Sequence, residues 1–148
     1  MGRRRDGRAR MIVRAGSGEA LAAPVPLEIS ASYRARTRGL LGRDSLDGAM
    51  LLSPASGVHT FGMRIPIDVA YLDRRLTVIA VRTMVPGRLG LPRLRARHVL
   101  EAEAGAMAGW GLRAGVRVEV EGEGEGEGEA ESEEGQEQGQ EQEPKRAF

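Results

Sequence analysis

The clearest pattern in the chain lies between Gly57 and Asp73, GVHTFGMRIPIDVAYLD. His59, Phe61, Met63, Ile65, Ile67, Val69 and Tyr71 share one parity, whereas Thr60, Gly62, Arg64, Pro66 and Asp68 share the other. A two-residue period of this kind predicts a β-strand with one face in a core. A continuous strand would aim Thr60, Arg64 and Asp68 the same way. Pro66 lacks a ladder donor and favours an edge or a bend, so the parity can slip across it.

The rest of the chain reads mostly as short strands. Arg10 to Ala15 predicts a first strand, and Val25 to Ile29, with Pro24 before it and Pro26 within it, predicts an edge strand. Ser32 suits the N-cap of a helix running to about Leu41, because its hydroxyl can accept an orphan amide of the first turn. Ala49 to Leu52 reads as a strand. Leu76 to Val85 is apolar on both parities and predicts an interior strand. Pro86 to Arg97 reads as a mobile flap rich in Gly, Pro and Arg. Val99 to Glu103 alternates, Gly105 to Trp110 suggests one helical turn, and Val116 to Val120 predicts a closing strand. Several strands against one good helix predict a mainly β fold: a compact small barrel or sandwich with a short helix packed on it.

Charge divides the chain. Residues 1–120 carry 20 Arg against 10 Asp and Glu, a net of +10, whereas residues 121–148 carry a net of −9. The expected organisation is a basic disordered leader over 1–8, a β domain over 9–120 and a disordered acidic tail over 121–148. That tail has almost no apolar content to offset the entropy of ordering. It can compete with acidic partners for the basic body, a coupling that salt screens.

The chain has no cysteine, which excludes a disulfide framework and a thiolate nucleophile. With only His59 and His98, no metal site and no cofactor are expected. Neither a signal peptide nor a membrane span is legible, so the expectation is a cytoplasmic monomer without membrane contact. Aromatics are not interleaved with the arginines, which weighs against nucleic acid as a partner.

The blocks RARTRGLLGR, GAMLL, HTFGMRIPIDVAYLD, HVLEAEAG and GLRAG, in that order over about residues 10–120, resemble the DUF192 (UPF0127) family of small bacterial and archaeal proteins. An acidic pair usual in that family's helix block is replaced by Arg34 and Ala35. Of its central block, Ile65, Pro66, Ile67 and Asp68 persist, and Val116 follows Gly115 where the family has Asp. The resemblance implies a mainly β fold and supplies no activity.

The candidate ligand-binding residues are Thr60, Arg64, Asp68, His59, Arg43 and Glu101. Asp68 serves either as a functional carboxylate or as an acceptor for local backbone and a partner for Arg64 or Arg43. His59 is either a boundary residue or an acid-base group. Glu101, in an apolar strand, is either an outward-facing solvated group or a buried carboxylate that needs an arginine partner, with Arg38 or Arg43 of the helix block at hand. Arg88, Arg93, Arg95 and Arg97 cluster on the flap and read first as a solvated loop, with binding of phosphate or carboxylate as the alternative. The leading expectation is a module that binds a small anionic ligand or a protein through the Thr60, Arg64 and Asp68 face. One alternative is a hydrolase or isomerase using Asp68 and His59 for proton transfer. Another is salt-dependent binding of nucleic acid by the basic body.

Overall fold

The computed structural model describes residues 4–122. Seven strands form one sheet in the order β6-β5-β8-β3-β2-β1-β9. They are β1 (Gly7–Arg14), β2 (Val25–Ser30), β3 (Ala49–Leu52), β5 (Ile67–Leu72), β6 (Val78–Met84), β8 (His98–Glu103) and β9 (Arg117–Glu121). Neighbours pair antiparallel except β2 and β3, which run parallel and are joined through helix α1 (Tyr33–Arg38). A second, two-stranded ribbon pairs β4 (Val58–His59) with β7 (Leu89–Gly90), and a single turn of helix, α2 (Ala106–Gly109), follows β8.

The sheet curls until its two outer strands meet at one end. Thr77 bridges Arg117, the Val78 amide donates to the Val116 carbonyl at 2.8 Å, and the Val118 amide donates to the Leu76 carbonyl at 2.9 Å. The result is a half-barrel. Alternation within each strand fills its inside: Met11, Leu27, Leu51, Leu72, Leu100 and Val118 converge there with Met107 of α2. The outer face of β3, β5 and β8 is covered too, by Leu40, Leu46, Ala96 and the partly buried Val58, Met63 and Ile65. The described residues therefore form two apolar clusters on opposite sides of one sheet. This is why β3 and β5 are buried along their whole length.

Several expected elements are as the pattern predicts. Ser32 caps α1, its hydroxyl accepting the Ala35 amide at 3.1 Å, although the helix ends at Gly39 and does not reach Leu41. Other expectations need correction. The segment from Gly57 to Asp73 is not one strand. It is strand over Val58–His59, a turn through Phe61 and Gly62, and strand again from Ile67. Gly62 sits at φ +78°, a conformation that ends the ladder and that a side chain would resist.

The strand β2 lies between β1 and β3 and is not an edge, while β6, expected inside, is the terminal strand. Its doubly apolar character answers the two clusters, with Val78 in one and Ala80 and Met84 in the other. The basic leader is shorter than expected. Asp6 accepts the amides of Ala31 and Ser32 at 2.6 and 2.8 Å, and Gly7 and Arg8 pair with β2. At the other end Glu121 closes β9 opposite Arg10, so the body extends one residue past the expected boundary. The rest of the expected tail, 123–148, lies outside the described residues.

Candidate functional site

The expected face of Thr60, Arg64 and Asp68 does not form, because the turn separates its members. Thr60 is fully buried and stitches two turns together. Its hydroxyl donates to the Val85 carbonyl at 2.7 Å and accepts the Arg88 amide at 2.8 Å. Arg64 is exposed and pairs with Asp44 at 3.2 Å, not with Asp68.

Asp68 is buried and spent on structure. Oδ1 accepts the Thr83 hydroxyl at 2.7 Å, and Oδ2 accepts the amides of Gly105 and Met107 at 2.9 and 3.1 Å. The carboxylate thus ties β6 and the start of α2 to β5. His59 is exposed, with its ring stacked on Phe61 at 5.2 Å. The structure does not bring His59 and Asp68 together, so the pair required for proton transfer is absent.

Arg43 makes a two-pronged ion pair with Glu28, at 2.8 and 2.9 Å. That hydrogen-bonded guanidinium holds the Glu28 carboxyl below the usual range. Among the described residues Glu101 accordingly has no arginine. It lies in β8 between Met50 of β3 and Val69 of β5, is 1 % exposed, and its Oε1 has no hydrogen-bond partner. Burial pushes its carboxyl up to about 7.

The site that does form is a cleft of about 660 Å³ between α1, the turn after β3, and the ribbon. Arg36, Thr37, Ser56, His59 and Arg97 supply its polar lining, and Leu52, Pro54 and Ala96 supply apolar wall. The Ser53–Pro54 peptide is cis. The Arg36 guanidinium donates to the carbonyls of Ala31 and Pro54, both at 3.1 Å, and that of Arg97 to the carbonyls of Leu94 and Ala96 at 3.0 and 3.1 Å.

Carbonyls orient these two cations, and the charge of Asp6, whose carboxylate accepts the amides of Ala31 and Ser32, also acts on Arg36. Among the described residues neither is paired with a carboxylate, and no acidic side chain lines the cleft. Behind the cleft, His98 Nδ1 lies 2.8 Å from the Ser53 hydroxyl. Burial lowers its pKa, and the charges of Arg4 and Arg97 lower it further against the opposing pull of Asp73. A second cleft of about 430 Å³ adjoins the first through Arg97 and adds Arg74, Arg75 and Arg95, with Asp73 the acidic member.

Sequence reading therefore missed Arg36, Thr37, Ser56 and Arg97 as a group. The available signal was their hydrogen-bonding chemistry, but they come from three separate segments that only the fold gathers. Among the described residues no three His, Asp or Glu side chains converge to hold a metal ion. Similarly, no helix there is long and apolar enough to cross a membrane.

Comparison with known proteins adds the following. Residues 13–120 match the model of DUF192, described as an "Uncharacterized ACR". A UPF0127 protein of Pyrococcus horikoshii is 30% identical over 84 residues, which span 53% of this chain and 73% of that protein. A UPF0127 protein of Pyrococcus abyssi is also 30% identical, over 53% of this chain and 72% of its own length. In structure, the chain is similar to a candidate transcription regulator from Sinorhizobium meliloti. Their TM-score is 0.67 at 21% identity, over 80% of this chain and 98% of that one. It is also similar to a protein of unknown function from Novosphingobium aromaticivorans. There the TM-score is 0.62 at 22% identity, over 74% of this chain and 83% of that one. These two likenesses extend to the fold.

Proposed function

The chain belongs to the DUF192 (UPF0127) family, and since that family is uncharacterized, we propose a function from its own geometry: binding of a small anion in the cleft between α1 and the ribbon. The ligand class is a molecule bearing a carboxylate or a phosphate. One observation carries this reading. Arg36 and Arg97 enter the same cleft, are held by backbone carbonyls, and make no ion pair with a carboxylate among the described residues, the Asp6 carboxylate near Arg36 being engaged by the amides of Ala31 and Ser32. A guanidinium so held is preorganised for the paired oxygens of a carboxylate or phosphate and loses little freedom on binding. Thr37 and Ser56 add hydroxyls, and the apolar wall suits a short carbon skeleton. The volume lies in the range of small-molecule sites, roughly 300–1,000 Å³.

The test is thermal unfolding of the full chain with phosphate, pyrophosphate or citrate, each matched in ionic strength by sodium chloride. An anion at about 100 times its dissociation constant stabilises the native state by roughly 2.7 kcal/mol. Arg36→Gln and Arg97→Gln should each weaken the response at least about tenfold. Equal stabilisation by chloride at matched ionic strength would remove the proposal.

A second reading has its own observation, the adjoining cleft, which lengthens the basic surface by three arginines. A nucleic acid could use that length, and the Sinorhizobium neighbour is described as a candidate transcription regulator. Retention on DNA or RNA that falls steeply between 50 and 200 mM salt would support this reading over the first. We read the compartment as the cytoplasm, on the sequence grounds given above.

A further inference from the structure

The large apolar side chains left exposed on the described surface are Phe61, Val85, Leu89, Leu91 and Leu94, and all five belong to the β4–β7 ribbon and its flanking turns. Leu89, Leu91 and Leu94 are 64%, 74% and 95% exposed. Residues 74–100, which contain four of the five, hold seven arginines and no acidic residue. The ribbon is therefore both greasy and strongly basic.

Nor is it a loose flap. Ser56 and Arg93, Ala55 and Arg97, and Thr60 with Gly87 and Arg88 are joined by backbone hydrogen bonds of 2.8–3.1 Å. Its inner side is fixed to the half-barrel, where the Arg93 guanidinium lies 4.6 Å from the centre of the Tyr71 ring. A Cβ on Gly90 would come within 2.8 Å of the Tyr71 hydroxyl, which shows how close that contact is. A rigid base with its backbone paired and its leucines outward can enter an apolar boundary without stranding many peptide groups.

We propose that the ribbon is a docking surface for an anionic lipid bilayer, with Leu89, Leu91 and Leu94 entering the acyl boundary and Arg88 and Arg95 meeting the headgroups. Interfacial binding rests on this combination of apolar insertion and attraction to anionic lipid. Other occupants match one half of it only. The acidic segment 123–148 complements the arginines, but of large apolar residues it offers Phe148 alone to cover the leucines. A second copy of the ribbon would cover leucines while bringing arginines together, a juxtaposition of like charge. The site is separate from the anion cleft in Leu89, Leu91 and Leu94, so the two readings fail independently.

The experiment is co-sedimentation of the full chain at 50 mM salt with vesicles of phosphatidylcholine alone and of phosphatidylcholine with phosphatidylglycerol. Wild type should sediment with the anionic vesicles and remain in solution with the neutral ones. The triple variant Leu89→Ser, Leu91→Ser, Leu94→Ser should lose at least about tenfold in binding. Its melting temperature should not change, because these side chains are exposed. Arg88→Gln with Arg95→Gln should weaken binding to the anionic vesicles as well. No sedimentation of wild type with anionic vesicles overturns the proposal. Equal sedimentation of the leucine variant also overturns it, since charge alone would then account for binding. So does a concentration-dependent dimer that the leucine variant abolishes without lipid, which would make the ribbon a protein interface.

Discussion

Thr83 and Asp68 face each other across the β5–β6 pair, and the threonine hydroxyl donates to Oδ1 of the buried carboxylate at 2.7 Å. Because Oδ2 takes two amides at the start of α2, one side chain joins three elements.

Removing that side chain should cost stability more than ligand binding. In Asp68→Ala the buried Met107 amide loses its acceptor, and orphaned buried donors are expensive. The expected loss is roughly 3–5 kcal/mol in urea unfolding. Thr83→Val, at an exposed position, should lose about 1 kcal/mol. Anion-induced stabilisation of the folded fraction of Asp68→Ala should match wild type; its loss would return Asp68 to the binding site.

Glu101 should make the protein less stable as pH rises. Its carboxyl is held neutral by burial, with a folded value of about 7 against an ordinary 4.5. Below pH 4.5 both folded and unfolded states are protonated and nothing is lost. Between about 4.5 and 7 the unfolded state ionises first, so stability drains away and levels off above 7. The difference amounts to roughly 3 kcal/mol. Glu101→Gln should remove this component from the pH profile, and Glu101→Met should exceed wild type in stability at pH 8, because a neutral side chain pays no ionic desolvation. Parallel pH profiles for wild type and Glu101→Gln would mean that the carboxylate finds a partner after all.

Two glycines with similar backbone angles should respond differently to alanine. Gly48, at φ +83°, lies against β2, and an added Cβ would fall 2.2 Å from the Pro26 carbonyl oxygen. Gly42, at φ +76°, would place its Cβ in open space. Gly42→Ala should therefore pay only the cost of the left-handed conformation, about 1 kcal/mol. Gly48→Ala should lose roughly 3 kcal/mol or more, since backbone on both parallel strands must move. Chemical unfolding of both variants separates backbone preference from contact.

The segment around Pro66 shows where reading the sequence stops. Apolar residues at every second position continue through the turn because Met63 and Ile65 pack on the outer cluster just as strand residues do. Burial sets such a pattern, and a turn lying on an apolar surface can reproduce it without a ladder. The misplacement of β2 and β6 has a similar origin. Proline before β2 suggested an edge, but strand order depends on which elements meet across the sheet, and local composition does not encode that. Glu101 was legible as anomalous in its apolar strand. Its lack of a partner was not, because Arg43 is captured by Glu28.

By itself the sequence determined the class of the fold, the cap at Ser32, most strand positions, the family and the division of charge. These follow from near neighbours, through side-chain periodicity, turn chemistry and ordered blocks of residues. Only the tertiary structure decided that the sheet closes at one end as a half-barrel, that Asp68 serves the scaffold, and that Arg36 and Arg97 share a cleft. The physical reason is that each of these depends on residues far apart in the chain. Their meeting is set by how two apolar clusters are shared between the faces of one curled sheet.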